Sequence, residues 1–319
     1  MSTKYETPLL KTPLLETPFS GLDFVQENIP LARHTWYRIG GPARFYAEPA
    51  NESELRLLVT RAAEQNVKVL VLGLGANLLV KDQGVDALVI RFAHENWHKV
   101  EQDGDLIRVG AGVDLQKLIV KMIRAGRTGI ESLAGIPGTI GGTIRMNAGG
   151  KFGDLGSVVE GVRVMEKNGT VRDIPRDDLI FDYRSTNISA PFILGATLRL
   201  EEDAPDEIMK RYKEVWMYKQ NTQPLNSRNC GCIFKNPGTG TGENAASDVG
   251  VLSAGALIDQ LGLKGTRVGL AQVSEKHANF LVAHAGCTSE DVLSLVKLVK
   301  DKVHAARGIE LETEVKVWG

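Results

Sequence analysis

A chain of 319 residues exceeds what one small hydrophobic core organises, so two or three domains are expected, and its 43% hydrophobic and 24% charged residues are ordinary for a water-soluble globular protein. The 38 Lys and Arg against 39 Asp and Glu leave a net charge of −1, which argues against a nucleic-acid binder working through a bulk positive field. Three cysteines exclude a disulfide framework and fit a reducing cytoplasm; no apolar run approaches the roughly 20 residues of a membrane span, and the opening residues lack the pattern of a secretory signal.

In chain order, the first segment repeats "ETPLL", "KTPLL" and "ETPF", with Pro8, Pro13 and Pro18 evenly spaced. Prolines at that interval exclude a helix, and residues 1–21 are expected as a flexible Pro-rich tail. A regular pattern begins near residue 22. "NESELRLLVTRAAEQ" (51–65) reads as an amphipathic helix and "VKVLVLG" (67–73) as a buried strand. "LIRVGAG" (106–112) is a second strand, and "DLQKLIVKMIRAG" (114–126) a helix opened by Asp114 and stopped by Gly126. Asn168-Gly169, between alternating segments, signals a hairpin, and "FILGATLRLE" (192–201) a strand. Near residue 203 an acidic, Pro-containing entry into a helix marks a domain boundary. "TSEDVLSLVKLVKDKVHAARG" (288–308) is a long helix with a capping box at Thr288 and Asp291 and a glycine end, and "IELETEVKVW" alternates like a strand. Helices and strands mix without a clean βαβ rhythm, so the class is α+β rather than doubly wound α/β.

The candidate chemistry lies between these elements. In "LGLGANLLV" (72–80) Gly73 and Gly75 permit a sharp turn and close backbone approach to a ligand. The third glycine of a dinucleotide fingerprint is missing, as is the Gly-Lys-Ser/Thr of a P-loop, so a structural turn and an anion cradle both stand. "AGIPGTIGGTIRMNAGG" (134–150) keeps Ile136, Ile140, Ile144 and Met146 where a linker would be polar, with Asn147 as a polar handle. That suits a tight loop laid against a flat cofactor. Arg184 in "FDYRSTNIS" is either an exposed surface charge or a fixed guanidinium facing a carboxylate or developing oxyanion. Cys230 and Cys232 in "NCGCIFKNP" lack the second ligand pair of a zinc site. A nucleophilic thiol would need His277 as its base, and plain packing of small thiols is the simpler alternative. Glu310, Glu312 and Glu314 alternate, so on a strand they share one face and cannot all be buried.

Taken together, "HTWYRIGGPARFYAEP", "VLGLGANLLV", "GIPGTIGGTIRMNAG", "FDYRST", "GCIFKNP", "GLKGTRVGLAQVSEKHANFLV" and "GIELETEVKVWG" resemble, in this order, the UDP-N-acetylenolpyruvoylglucosamine reductases, from about residue 22 to 319. The resemblance implies a two-lobed FAD-binding domain of the vanillyl-alcohol-oxidase type over 22–203, an α+β substrate-binding domain over 204–306, and a C-terminal strand, 307–319, returning to the active site. It implies non-covalent FAD, NADPH as co-substrate, and UDP-N-acetylglucosamine enolpyruvate as the small molecule reduced, with no metal. On this resemblance Gly73, Gly75, Ala76, Asn77 and Leu78 form one FAD loop. Gly135, Pro137, Gly138, Gly141, Gly142 and Asn147 form the other. Lys219 and Asn236 match substrate contacts, and Lys235 is expected to serve anionic groups.

Catalysis is implied for Arg184 and Glu314, which would stabilise charge on the enolpyruvyl group, and for Cys232 as proton donor. Cys232 falls where many members carry serine. A thiol of ordinary pKa, about 8.5, is mostly protonated at pH 7 and suits the role. A nearby arginine is expected to pull that pKa down toward the thiolate. Some members close the pocket with a tyrosine-bearing loop that has no evident counterpart here.

Overall fold

The computed structural model describes residues 17–238 and 253–319. The expected tail falls mostly outside them, but its last residues do not behave as one. Phe19 is buried and packs edge-on against Phe45, ring centroids 5.0 Å apart. A large aromatic side chain gains too much from burial to stay in water when a core is within reach.

Strands Val25–Pro30, Pro42–Ala47, Val85–Arg91 and Val69–Leu72 lie side by side in that order. The first pair is antiparallel and the others parallel. Helix α1 (Glu52–Glu64) makes one crossover, its start fixed by the Asn51 side chain accepting from the amides of Ser53 and Glu54. Glu52 and Glu54 in its first turn suit the positive end of the helix dipole, and Leu55, Leu58, Val59 and Ala62 form its buried face.

A second, wholly antiparallel sheet runs Val171–Pro175, Val159–Met165, Phe192–Arg199, Leu106–Gly110, Val100–Asp103. Its first two strands are the expected hairpin, with Gly169 at φ +81°. Helix α2 (Leu115–Arg124) starts at Asp114, whose carboxylate accepts from the Lys117 amide, and a short helix, α3 (Ile140–Arg145), lies within the second glycine segment. One continuous core joins the two sheets through Phe45, Leu88, Val109, Leu118 and Phe192.

Beyond residue 203 come α4 (Pro205–Thr222), α5 (Ala254–Gln260), and a small sheet of Arg267–Val268, Ala271–Val273 and Leu281–Ala283. Then comes α6 (Ser289–Arg307), with the Thr288–Asp291 capping box and Gly308 left-handed at its end. A separate core forms here from Ile233, Phe234, Leu257, Leu281, Leu295 and Val299, and it reaches back to Tyr37, Ile39 and Leu79. The final stretch is regular only at Lys316–Trp318, which runs parallel to Leu78–Val80, immediately after the first glycine loop.

Candidate active site

The first glycine loop, residues 73–77, joins strands Val69–Leu72 and Leu78–Val80. Gly75 is left-handed (φ +65°), and a Cβ there would stand 2.1 Å from the His34 carbonyl oxygen, so the back of the loop presses directly on the 34–35 backbone. Only glycine tolerates both conditions. A Cβ on Gly73 would lie 2.8 Å from Thr139 Oγ1, which shows that the two glycine segments touch. In the second, Gly135 is left-handed and its amide donates to Gln116 Oε1 (2.8 Å), while Thr139 caps α3.

Both loops line one cleft of about 1410 Å³, which Gly73, Gly75, Ala76, Asn77, Leu78, Gly135, Pro137, Gly138 and Gly142 border from one side. Arg184, Lys219, Cys232, Asn236 and Glu314 border it as well. A second cavity of about 650 Å³ lies along Val69–Leu74 and shares Leu72, Gly73, Leu74, Thr139 and Gly142 with the first. Gly141 opens only onto this second cavity. Asn147 reaches neither. It is buried, its amide donates to the Asp182 carbonyl (3.0 Å), and its oxygen accepts from the Gly156 amide (2.9 Å). The expected ligand handle is a structural brace, because its left-handed backbone (φ +39°) turns the side chain to groups that need partners.

Arg184 also has positive φ (+56°), between the two-residue strands Phe181–Asp182 and Ser185–Thr186. For a residue with a long side chain that conformation costs about 1 kcal/mol or more, and the contacts around it must hold it there. They are specific. Nε donates to Glu314 Oε1 at 2.7 Å, one terminal nitrogen donates to the Gly149 carbonyl at 2.9 Å, and the guanidinium lies 4.9 Å from the Tyr183 ring. The ion pair is largely enclosed, with side-chain exposures of 16% and 13%. Burial raises the Glu314 carboxyl above its ordinary pKa, and the opposing pull of Arg184 does not cancel it.

Cys232 is delivered by a segment clamped on both edges. The Phe234 amide donates to Asn279 Oδ1 (2.9 Å), Asn279 Nδ2 donates to the Phe234 carbonyl (2.8 Å), and the Glu314 amide donates to the Ile233 carbonyl (2.7 Å). Gly231, at φ +81°, makes the turn between the two cysteines. Cys230 is buried in the core, whereas Cys232 is half-buried, and both border the cleft. The thiol of Cys232 is pushed up to about 12, by burial first and then by the charge of Glu314; Arg184 and Lys219 pull the other way and lose. The expected downward pull of the arginine is present but outweighed. Among the described residues no hydrogen bond joins Cys232 to His277, whose Nδ1 instead accepts from the Asn279 amide and whose pKa is lowered by burial. That leaves the thiol without the base a nucleophile requires.

Lys219, on α4, is buried, and among the described residues its Nζ has no hydrogen-bond partner. Burial, then the charge of Arg184, lowers it to about 8. Asn236 is tied in from both sides, its amide donating to the Tyr183 hydroxyl (3.2 Å) and its Oδ1 accepting from the Ala254 amide (3.1 Å). Lys235, expected to serve an anion, turns instead to exposed Glu312 (2.6 Å). Tyr183, Trp36, Phe152 and Tyr218 were not singled out from the sequence. Tyr183, beside Arg184, and Tyr218, beside Lys219, had neighbours that pointed to them.

A family model described as the UDP-N-acetylenolpyruvoylglucosamine reductase C-terminal domain matches residues 223–318, and one described as an FAD binding domain matches residues 43–175. UDP-N-acetylenolpyruvoylglucosamine reductase 2 of Symbiobacterium thermophilum is 40% identical over 292 residues, 91% of each chain. The reductase of Chloroherpeton thalassium is 36% identical over 298 residues, covering 92% of this chain and 93% of that one. The crystal structure of the UDP-N-acetylenolpyruvylglucosamine reductase from Thermus caldophilus superposes with a TM-score of 0.77 at 36% identity, covering 93% of this chain and all of the other.

Proposed function

The chain belongs to the UDP-N-acetylenolpyruvoylglucosamine reductase family, and from that premise we propose how its own residues divide the reaction. It is an FAD-containing, NADPH-dependent oxidoreductase that converts UDP-N-acetylglucosamine enolpyruvate to UDP-N-acetylmuramate in peptidoglycan precursor synthesis. Its class is α+β with an FAD-binding domain of the vanillyl-alcohol-oxidase type. We assign residues 22–203 to the flavin, 204–306 to the substrate and 307–319 to the strand that completes the site. No helix among the described residues is long and apolar enough to cross a membrane. Its three free thiols favour the cytoplasm, and its balanced charge favours small-molecule partners over nucleic acid.

The cleft suits an extended dinucleotide beside a second ligand. Its volume exceeds the 300–1,000 Å³ or so typical of one drug-sized ligand, and the second cavity continues it along the same glycine loop. Residues 73–78, 135–138 and 142 would hold FAD by backbone approach, with Gly141 facing the second cavity. Bound there, FAD would supply hydride transfer from NADPH to the vinyl CH₂ carbon of the substrate.

Negative charge then spreads from the adjacent carbon into the carboxylate. Arg184 faces that charge with its guanidinium, which Glu314 and the Gly149 carbonyl hold in one orientation. Glu314 thus acts through Arg184. Lys219, unpartnered among the described residues, supplies a second cation for the anionic substrate, and Asn236 borders the same cleft. Cys232 delivers its proton to the α-carbon and completes the lactyl ether.

The observation that carries this reading is geometric: Cys232 borders the same cleft as the enclosed Arg184–Glu314 pair, and the Glu314 amide bonds the Ile233 carbonyl next to it. Stopped-flow measurement of the two half-reactions tests it. Cys232→Ala should leave flavin reduction by NADPH intact and slow reoxidation by the enolpyruvyl substrate on the order of 10²–10⁴-fold, the usual contribution of a general acid. Reoxidation at the normal rate would overturn the assignment.

A further inference from the structure

The mouth of the cleft carries aromatic surface that this chemistry leaves unused. Strands Gly149–Gly150 and Gly153–Asp154 pair as a tight hairpin with Lys151 and Phe152 at its tip. Tyr218 stands on α4, one residue before buried Lys219. The Phe152 and Tyr218 rings meet edge to face, centroids 5.3 Å apart at 81°, and each residue is 40% exposed. The Lys151 ammonium sits 5.3 Å from the Tyr218 centroid and 5.9 Å from that of Phe152. All three line the cleft.

Two rings paired in solvent at a cleft that exposed Trp216 also lines form a patch rather than a scattered pair of apolar residues. Each ring keeps π surface free, and a cation stands beside it. That combination recognises a planar base carrying a diphosphate, since stacking is satisfied by the ring and the phosphates by the ammonium. The hairpin is also tethered to the reacting centre, because Arg184 donates to the Gly149 carbonyl at its base. A base seated at the tip would set the reach of the rest of the ligand toward Arg184.

We propose that Phe152 and Tyr218 form the shelf on which the uracil of the UDP-sugar stacks, with Lys151 facing its diphosphate. This rests on the substrate assigned under Proposed function. Two side chains from separate elements would then take the place of the tyrosine-bearing loop found elsewhere in the family.

The test uses the flavin-loaded enzyme and UDP alone, titrated calorimetrically. Tyr218→Leu and Phe152→Leu keep apolar bulk but remove the ring. Each should weaken UDP binding about tenfold to a hundredfold, as loss of a base–aromatic stack usually does. Tyr218→Phe should bind as the unaltered protein does. The KM for the enolpyruvyl UDP-sugar should rise in parallel while kcat at saturation holds, the mark of an interaction made equally in ground and transition states. Flavin content checks folding, and if the double leucine variant loses it, the single Tyr218→Leu decides. Unchanged UDP affinity in a flavin-replete variant would overturn the shelf, as would a defect confined to the NADPH half-reaction, which would give the rings to adenine. Failure of the unaltered enzyme to turn over the enolpyruvyl UDP-sugar would instead overturn the underlying substrate assignment.

Discussion

Lys219 is buried with its ammonium unpartnered among the described residues, and its pKa falls from 10.5 to about 8. Above 10.5 neither the folded nor the unfolded chain carries this proton. As pH falls toward 8 the unfolded chain takes it up first, so the folded state loses ground, and below 8 the penalty is complete. The fall corresponds to about 3 kcal/mol. Lys219→Met should therefore be more stable by up to about that amount at neutral pH, the gain shrinking as pH rises from about 8 toward 10.5, as read by urea unfolding. The same variant should bind the anionic substrate more weakly. Cys232 gives a complementary pH prediction. With its thiol raised to about 12, ionisation should remove no activity through the mildly alkaline range, and Cys232→Ser should show the same alkaline limb. A limb near 8.5 belonging to Cys232 alone would show the thiol to be unshifted. That upward shift was not legible in the sequence, where Arg184 and Glu314 were both foreseeable beside the thiol but its enclosure, the largest cause, was not.

At the scale of elements, helix boundaries followed local chemistry closely. Asn51, Asp114, Thr288 and Gly308 act as caps where their types and positions suggested, because a cap depends on residues within one turn. The last segment departed from its alternation: only Lys316–Trp318 is regular strand, since its partner Leu78–Val80 is just as short. Asn147 misled for a related reason, as a lone amide in a glycine-rich loop looks the same whether it faces a ligand or its own backbone. Two substitutions examine what holds these elements. Asn279→Ala strands the Phe234 N–H and C=O, each worth about 1–3 kcal/mol when buried unpaired, and should lower the denaturation midpoint and misplace Cys232. Phe19→Ala should destabilise by about 3–5 kcal/mol, the range for a buried phenylalanine. A midpoint unmoved by Phe19→Ala would show that residues 17–21 contribute no packing.

For the whole molecule, the class and the order of motifs were readable, and the pairings across the cleft were not. Arg184 and Glu314 are 130 positions apart, and Tyr37 donates to the Leu281 carbonyl 244 positions away. No local pattern encodes such meetings; Tyr37 and Leu281 meet because both are buried in one core. The closing strand depends on the same long-range order. Lys316 donates its amide to the Asn77 carbonyl (3.2 Å), and Asn77 Nδ2 reaches the Glu314 carbonyl (3.4 Å). Removing Lys316–Trp318 should strip the partner from Leu78–Val80 and lower flavin content together with turnover, visible in the absorbance spectrum.

That strand also bears on how the enzyme is made. Asn77 leaves the ribosome 237 residues ahead of Glu314. Domains fold largely in the order of synthesis, so the flavin lobes are free to collapse while the residue that steadies Arg184 has yet to be translated. A nascent chain can therefore be folded through most of its length and still be chemically silent. Translation that stalls late would leave a protein that looks sound to a protease and does no reduction.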